Sequence, residues 1–304
     1  MNRDPPDPLP AVGNDSVGGE RRHGSDNNMV GGINSERSKS INYCSLAGLP
    51  VIGDKMSRKK DNMIRFYFEN FNGIRSHVKG VDKGKYFSGL INKLEIDCFG
   101  AAETNLQWEM VRTTPKKVLY LAKETKCVHA YNSNEHNTIK QQGGTCVTIM
   151  EKYGEYVKEM GKDPSNLGRW SWIKVKGNND ITTIIISAYL PCRSRKTSML
   201  STYAQQKRYW AIQGIDTCPR AKAREDLIEF VSENKREDHR IILMLDGNEN
   251  MRTGKLAAML KKEPINMRDT IRDRVGNLKF PTWFRGQEQI DAIWTSEEIE
   301  VNKM

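Results

Sequence analysis

Among its 304 residues this chain holds six cysteines, 44, 98, 127, 146, 192 and 218, and no C-x-x-C pair. Their wide separation argues against a zinc ribbon and a disulfide framework, and fits a reducing, intracellular compartment, nuclear or cytoplasmic. Long apolar runs are also missing. Ile181–Leu190 is the best of them, interrupted by Thr, Ser and Tyr, and falls far short of the ~18–20 residues of a membrane-spanning helix. The N-terminus lacks an apolar signal core, which speaks against secretion. Large apolar groups are scarce at the start. Residues 1–60 contain one of the 24 aromatic residues, Tyr43, but 5 of the 11 prolines and 8 of the 24 glycines. Such a segment cannot offset the entropy of ordering its own backbone, so a disordered tail is expected over 1–60, with one domain over 61–304. The cluster Lys55-Met-Ser-Arg-Lys-Lys60 has the composition of a solvated linker or of a nuclear-import signal.

What is present is charge and strands. The net charge is +10, of which the tail carries +2, so the remainder favours a polyanionic partner. Strand patterns run over 63–68, 96–101, 144–150, 169–176, 181–189, 240–245 and 289–295, by β-branched and aromatic content. Helical spacing covers 86–94, 202–213, 221–233 and 254–262, with a further helix expected over 116–126. Strands with helices between them predict an α+β fold, a four-layer α/β-sandwich of two packed mixed sheets flanked by helices.

Three strands run into polar residues suited to a hard cation such as Mg²⁺. They lead into Asn70 and Asn72, into Glu103, and into Asp246 and Asn248. In extended chain, residues i and i+2 share a face, which would pair Asn70 with Asn72 and Asp246 with Asn248. Each piece has a plainer reading: Asp246-Gly247 and Asn72-Gly73 are turn signals, and Glu103 alone is a surface residue. Trp170 and Trp172 share a strand face and fit packing better than base stacking. Gly143-Gly144 is followed by no phosphate-loop pattern.

Taken in order, Asn70-Phe-Asn-Gly-Ile-Arg75, Ala102-Glu-Thr104, Ser187-Ala-Tyr-Leu-Pro191, Leu245-Asp-Gly-Asn248 and Gln289-Ile-Asp-Ala-Ile293 resemble the endonuclease/exonuclease/phosphatase superfamily. This is the deoxyribonuclease-I-like fold of abasic-site and non-LTR retrotransposon endonucleases. Phe280-Pro-Thr-Trp-Phe-Arg-Gly286 looks like the retroelement branch. The resemblance implies a Mg²⁺- or Mn²⁺-dependent phosphodiesterase acting on nucleic acid, most like a DNA endonuclease. It implies that Glu103 and Asn70 bind the metal. It further implies that Tyr189 contacts the scissile phosphate, Asp246 activates water, Asn248 holds phosphate and Asp291 supports a histidine. Asn72 is expected beside the metal corner, and Arg208, on a helix, on the substrate side. The departures are Leu245 for glycine, Cys192 for asparagine and Gln289 for arginine. The histidines are 23, 77, 129, 136 and 239, so none follows Asp291, and the family's Ser-Asp-His is missing. A fragment or a decayed copy would explain this, so weak cleavage is expected. The alternatives are a non-catalytic nucleic-acid-binding remnant, or a phosphatase of the same fold.

Overall fold

The computed structural model describes residues 58–74, 77–78, 81–108, 127–136, 141–193, 200–278, 281–283 and 286–302, and the backbone at 43–44 and 50–51. The chain divides into Met1–Lys39 and Ser40–Met304; all the described residues lie in the second unit. The helix expected over 116–126 and most of the segment read as a tail lie outside them. Within that segment, β1 (Tyr43–Cys44) and β2 (Pro50–Val51) pair antiparallel. Lys59 forms an ion pair with the buried Asp97.

Two sheets form the body. The first has the order β3 (Phe66–Asn70), β6 (Cys98–Ala102), β8 (Thr145–Met150), β7 (Cys127–Asn132). The second has the order β13 (Met267–Asp269), β14 (Asp291–Ser296), β12 (Arg240–Asp246), β11 (Thr182–Tyr189), β10 (Trp170–Lys176), β9 (Val157–Lys162). A small hairpin of β4 (His77–Val78) and β5 (Val81–Asp82) precedes the first helix. Both sheets are mixed: β3 and β6 run parallel, as do β11 and β12, and the other pairs in the two sheets are antiparallel.

Side chains alternate along a strand, so strands buried on both faces feed two separate cores. Ile184, Ile186, Ile241, Leu243 and Leu245 point outward, to a core shared with the helices Pro219–Arg236 and Lys255–Lys261. Ile185, Ile242 and Met244 point inward and meet Cys98, Val147 and Ile149 of the other sheet. Beyond the first sheet, the helix Lys83–Leu94 lays Phe87 and Ile91 against Phe99 and Ala101. The order is helix, sheet, sheet, helix: the four-layer α/β-sandwich. Trp170 is buried, and Trp170 and Trp172 both lie near Phe230, so they serve packing. Among the described residues no helix is long and apolar enough to cross a membrane.

The sheets approach closely at Gly100. A Cβ placed there would lie 2.8 Å from Met244 Cε and 3.0 Å from Ser187 Oγ. Ser187 Oγ itself donates across the gap to the Ala101 carbonyl, at 3.0 Å. Substituting Gly100→Val should therefore force the sheets apart and cost about 1–3 kcal/mol, the usual toll of overpacking. Urea unfolding would read the loss; an unchanged midpoint would contradict this close approach.

Candidate active site

The period-two rule that builds the inner core also builds the site. Asn70 follows Phe66 and Phe68 on the inner face of β3. Tyr189 follows Ile185 and Ser187 on β11, and Asp246 follows Ile242 and Met244 on β12. Asp291 opens β14 on the side of Ile293. Register places them at one end: Tyr189 stands opposite Asp246, and Asp246 opposite Asp291. Asn70 lies opposite Ala102, one residue before Glu103. The two sheets thus deliver amide, phenol and carboxylate groups to one rim of their interface.

The contacts there are short. Asn70 Nδ2 donates to Asp246 Oδ2 at 2.6 Å, from one sheet to the other. The Asn248 amide donates to Asp246 Oδ1 at 2.9 Å. Asn248 Nδ2 reaches the Leu190 carbonyl at 2.8 Å and Asp246 Oδ2 at 3.3 Å. Both of its hydrogens are engaged, and Asn248 braces Asp246. The Tyr189 hydroxyl hydrogen-bonds the side chains of Glu103 and Thr202, the latter at the start of the helix Thr202–Ile212.

Asn72 differs from the simple i, i+2 expectation. Its φ is 43°, in the left-handed region, so the chain has already turned and Asn72 is exposed. Its amide donates to Asn70 Oδ1 at 2.9 Å, an Asx turn that fixes the asparagine before it. Asn248 is likewise left-handed, with φ 47°, and returns to Asp246 through the turn. Glu103, φ 47°, is a third. Left-handed non-glycine residues cost of order 1–3 kcal/mol and gather where a site dictates the backbone. Arg208 lies exposed on the helix Thr202–Ile212.

Sequence reasoning passed over several participants. Thr282 Oγ1 accepts the Ile290 and Asp291 amides, at 2.9 and 3.0 Å, and its side chain hydrogen-bonds Asp291. Gln289, where the family has arginine, is buried and takes a hydrogen bond from Arg252 Nε at 3.1 Å. Pro281-Thr-Trp283 before the last motif was the available signal for Thr282; Arg252 had none.

Charge is what the site does not resolve by itself. Burial pushes the Asp246 carboxyl well up, and the charges of Asp291 and Glu103 push it further. Burial, with Glu103 nearby, lifts Asp291 to about 6 from an ordinary 3.8. Burial, with Glu103 and Asp246 beside it, keeps the Tyr189 phenol protonated well past its ordinary range. Among the described residues, Asp291 Oδ1 is buried with no hydrogen-bond partner. It borders a cleft of about 210 Å³ between β3 and β14, lined also by Phe66, Phe68, Ile271 and Ile293. Three histidines whose surroundings are described stand elsewhere. His129 bonds Thr148, His136 stacks on Tyr209, and His239 precedes the opposite end of β12.

Among the described residues no three His, Cys, Asp or Glu side chains close round an ion by themselves. Structural zinc and calcium sites ordinarily use such a protein-only cage. Mg²⁺ takes one or two carboxylates and fills its sphere with water and substrate oxygens. Oxygen donors, buried carboxylates that repel one another and an orphaned carboxylate oxygen all fit such a cation.

Stability should carry the mark of this repulsion. Asp291 binds its proton more tightly folded (about 6) than unfolded (3.8), so its contribution is greatest below about pH 4 and is lost as pH rises through 6. Asp291→Asn should remove that loss. Its stability relative to the parent should rise between pH 4 and 7.5 by on the order of 2 kcal/mol. Urea unfolding at the two pH values checks this; a gap independent of pH would contradict it.

No family model matches the sequence, and no curated protein matches it. Solved structures do. The catalytic domain of human Nocturnin with bound sulfate is 14% identical, over 77% of this chain and 82% of that one, with a TM-score of 0.49. An AP endonuclease from Archaeoglobus fulgidus is 16% identical, over 77% and 86%, with a TM-score of 0.46. An endonuclease/exonuclease/phosphatase family protein from Leptotrichia buccalis is 12% identical, over 78% and 89%, with a TM-score of 0.48. The family that the five motifs resemble is thus also present among the structural neighbours.

Proposed function

We propose that this chain is a divalent-metal-dependent phosphoesterase whose substrate is nucleic acid, DNA in the manner of a retroelement endonuclease. The observation that carries the reading is the convergence of Asn70, Glu103, Tyr189, Asp246, Asn248 and Asp291 on one rim, with the buried Asp246 and half-buried Asp291 carboxylates facing across a strand pair. Glu103 and Asn70 would hold Mg²⁺ or Mn²⁺, which when bound neutralises charge on the phosphoryl oxygens. Tyr189 stays protonated and donates a hydrogen bond toward developing negative charge. Asp246, held by Asn70 and braced by Asn248, orients the attacking water and takes its proton, for which a raised carboxyl pKa suits it. Asn72 and Arg208, both exposed, would meet the nucleic-acid strand. The net charge of +10 favours a long polyanion over a small phosphoester.

One observation favours a second reading, a nucleic-acid-binding protein with little turnover. Among the described residues, Asp291 Oδ1 is buried without a hydrogen-bond partner. Removing one member of a group that acts as a unit forfeits most of the unit's effect.

Plasmid nicking separates the two. We expect slow nicking of supercoiled DNA that requires Mg²⁺ or Mn²⁺ and vanishes in Glu103→Ala, with DNA binding that weakens steeply as salt rises. Salt-sensitive binding without nicking would favour the second reading. Nicking that persists in Glu103→Ala, or in chelator, would sink the metal-dependent reading. A protein whose melting temperature responds to neither cation nor DNA would sink both.

A further inference from the structure

We infer that Lys83 and Arg220 are positioning residues: each seats a cation in the carbonyl groups behind one of the two asparagine loops of the site. The inference rests on the phosphoesterase reading for its functional meaning and on geometry for its content.

The loops share one construction. After β3, Asn72 and Gly73 take φ of 43° and 90°. After β12, Asn248 takes 47°. A left-handed residue turns its amide one way and the neighbouring carbonyls the other. The amides face the site: Asn72 N–H fixes Asn70 Oδ1, and Asn248 N–H fixes Asp246 Oδ1. The carbonyls of both loops therefore gather at the back, with their partial negative charges together. Such a cluster is unfavourable unless donors meet it.

A cation meets each. Lys83, the first residue of the helix Lys83–Leu94, donates through Nζ to the Phe71 carbonyl and, at 3.4 Å each, to the carbonyls of Asn72 and Gly73. An ammonium has three hydrogens, and three carbonyls take them. Arg220, near the start of the helix Pro219–Arg236, donates through Nη2 to the Gly247 carbonyl at 3.0 Å and to the Asn248 carbonyl. It also reaches Glu249 Oε2 at 3.4 Å. Its side chain is only 15% exposed.

The chemistry of these contacts decides the role. A basic residue beside a phosphodiester site would ordinarily be assigned to phosphate. Here Lys83 spends its donors on the backbone, and Arg220 turns Nη2 to the loop behind Asn248. Their effect is on the two side chains the loops hold, Asn70 and Asp246, whose mutual hydrogen bond spans the sheets. The two helices, one on each outer face, thus reach the site through a single cation each.

Amide hydrogen exchange on the full chain tests this without requiring turnover. Arg220→Ala should speed exchange at Gly247 and Asn248 by about tenfold or more and leave Asn72 and Gly73 unchanged; Lys83→Ala should do the reverse. Arg220→Lys and Lys83→Arg should restore protection in part. Arg224→Ala, which removes a contact to Glu249 Oε2 alone at 2.9 Å, should leave both loops unchanged. Should an alanine variant fail to fold, Arg220→Gln and Lys83→Gln keep the bulk without the charge and are read the same way. Unchanged exchange, or exchange raised equally in both loops and not restored by the conservative variants, would overturn the inference. Mn²⁺ binding, followed by electron paramagnetic resonance, reports separately. A parent chain that binds no Mn²⁺ counts against the phosphoesterase reading, whatever the exchange pattern. A parent that binds it, with affinity about tenfold lower in both alanine variants, ties positioning to the site.

Discussion

Everything at the functional end of this molecule follows from one strained juxtaposition. Antiparallel pairing of β12 with β14 sets Asp246 directly opposite Asp291, both on the inner face and both largely removed from water. Two carboxylates so placed repel each other and resist ionisation. The neighbouring elements read as responses to that constraint. Asn70 brings an amide from the other sheet, the Asn248 turn supplies a backbone N–H, and Thr282 holds Asp291. What remains unanswered is one oxygen of Asp291 and the charge itself, which a divalent cation and its water would meet.

The constraint also explains why the sandwich is built so tightly. Asn70 and Asp246 belong to different sheets, so their 2.6 Å contact exists only if the sheets keep a fixed separation. Gly100, Ser187 and the inner core set that separation. The outer helices serve the same end twice, as apolar covers through Phe87 and Leu227 and as donors to the loops through Lys83 and Arg220. Packing and site chemistry are here one set of contacts.

Much of this was legible in the residues. The central strands announced themselves because they are buried on both faces, as Ile184–Ile186 and Ile241–Leu245 are. The expected helix 221–233 lies within Pro219–Arg236, whose buried Ala223, Leu227 and Val231 recur at four-residue steps. Within the two large sheets the strands missed were β7, β9 and β13, and all three are sheet edges; the short pairs β1–β2 and β4–β5 were missed as well. Edge strands carry polar and charged residues, as Val157-Lys-Glu-Met-Gly-Lys162 does, and so lose the apolar signature. The candidate site residues were visible as motifs, and their convergence followed from strand ends. The turns were not: Asn72 and Asn248 leave the extended region, and no spacing rule anticipates where a left-handed residue sends its side chain. Lys83 and Arg220 were invisible for a related reason, since each acts through backbone groups that sequence does not display.

The central claim is that burial and neighbouring charge raise the Asp246 and Asp291 carboxyls, and that a cation bound beside them at Glu103 and Asn70 drives their protons off to solvent. Calorimetric titration with Mg²⁺ near pH 6, run in two buffers of different ionisation enthalpy, tests it most directly, because a cation placed beside raised carboxyls favours their ionised form and so releases protons. The account predicts a heat that differs between the buffers, corresponding to proton release, and a smaller difference in Asp291→Asn. Binding with the same heat in both buffers, or no binding at all, would contradict it.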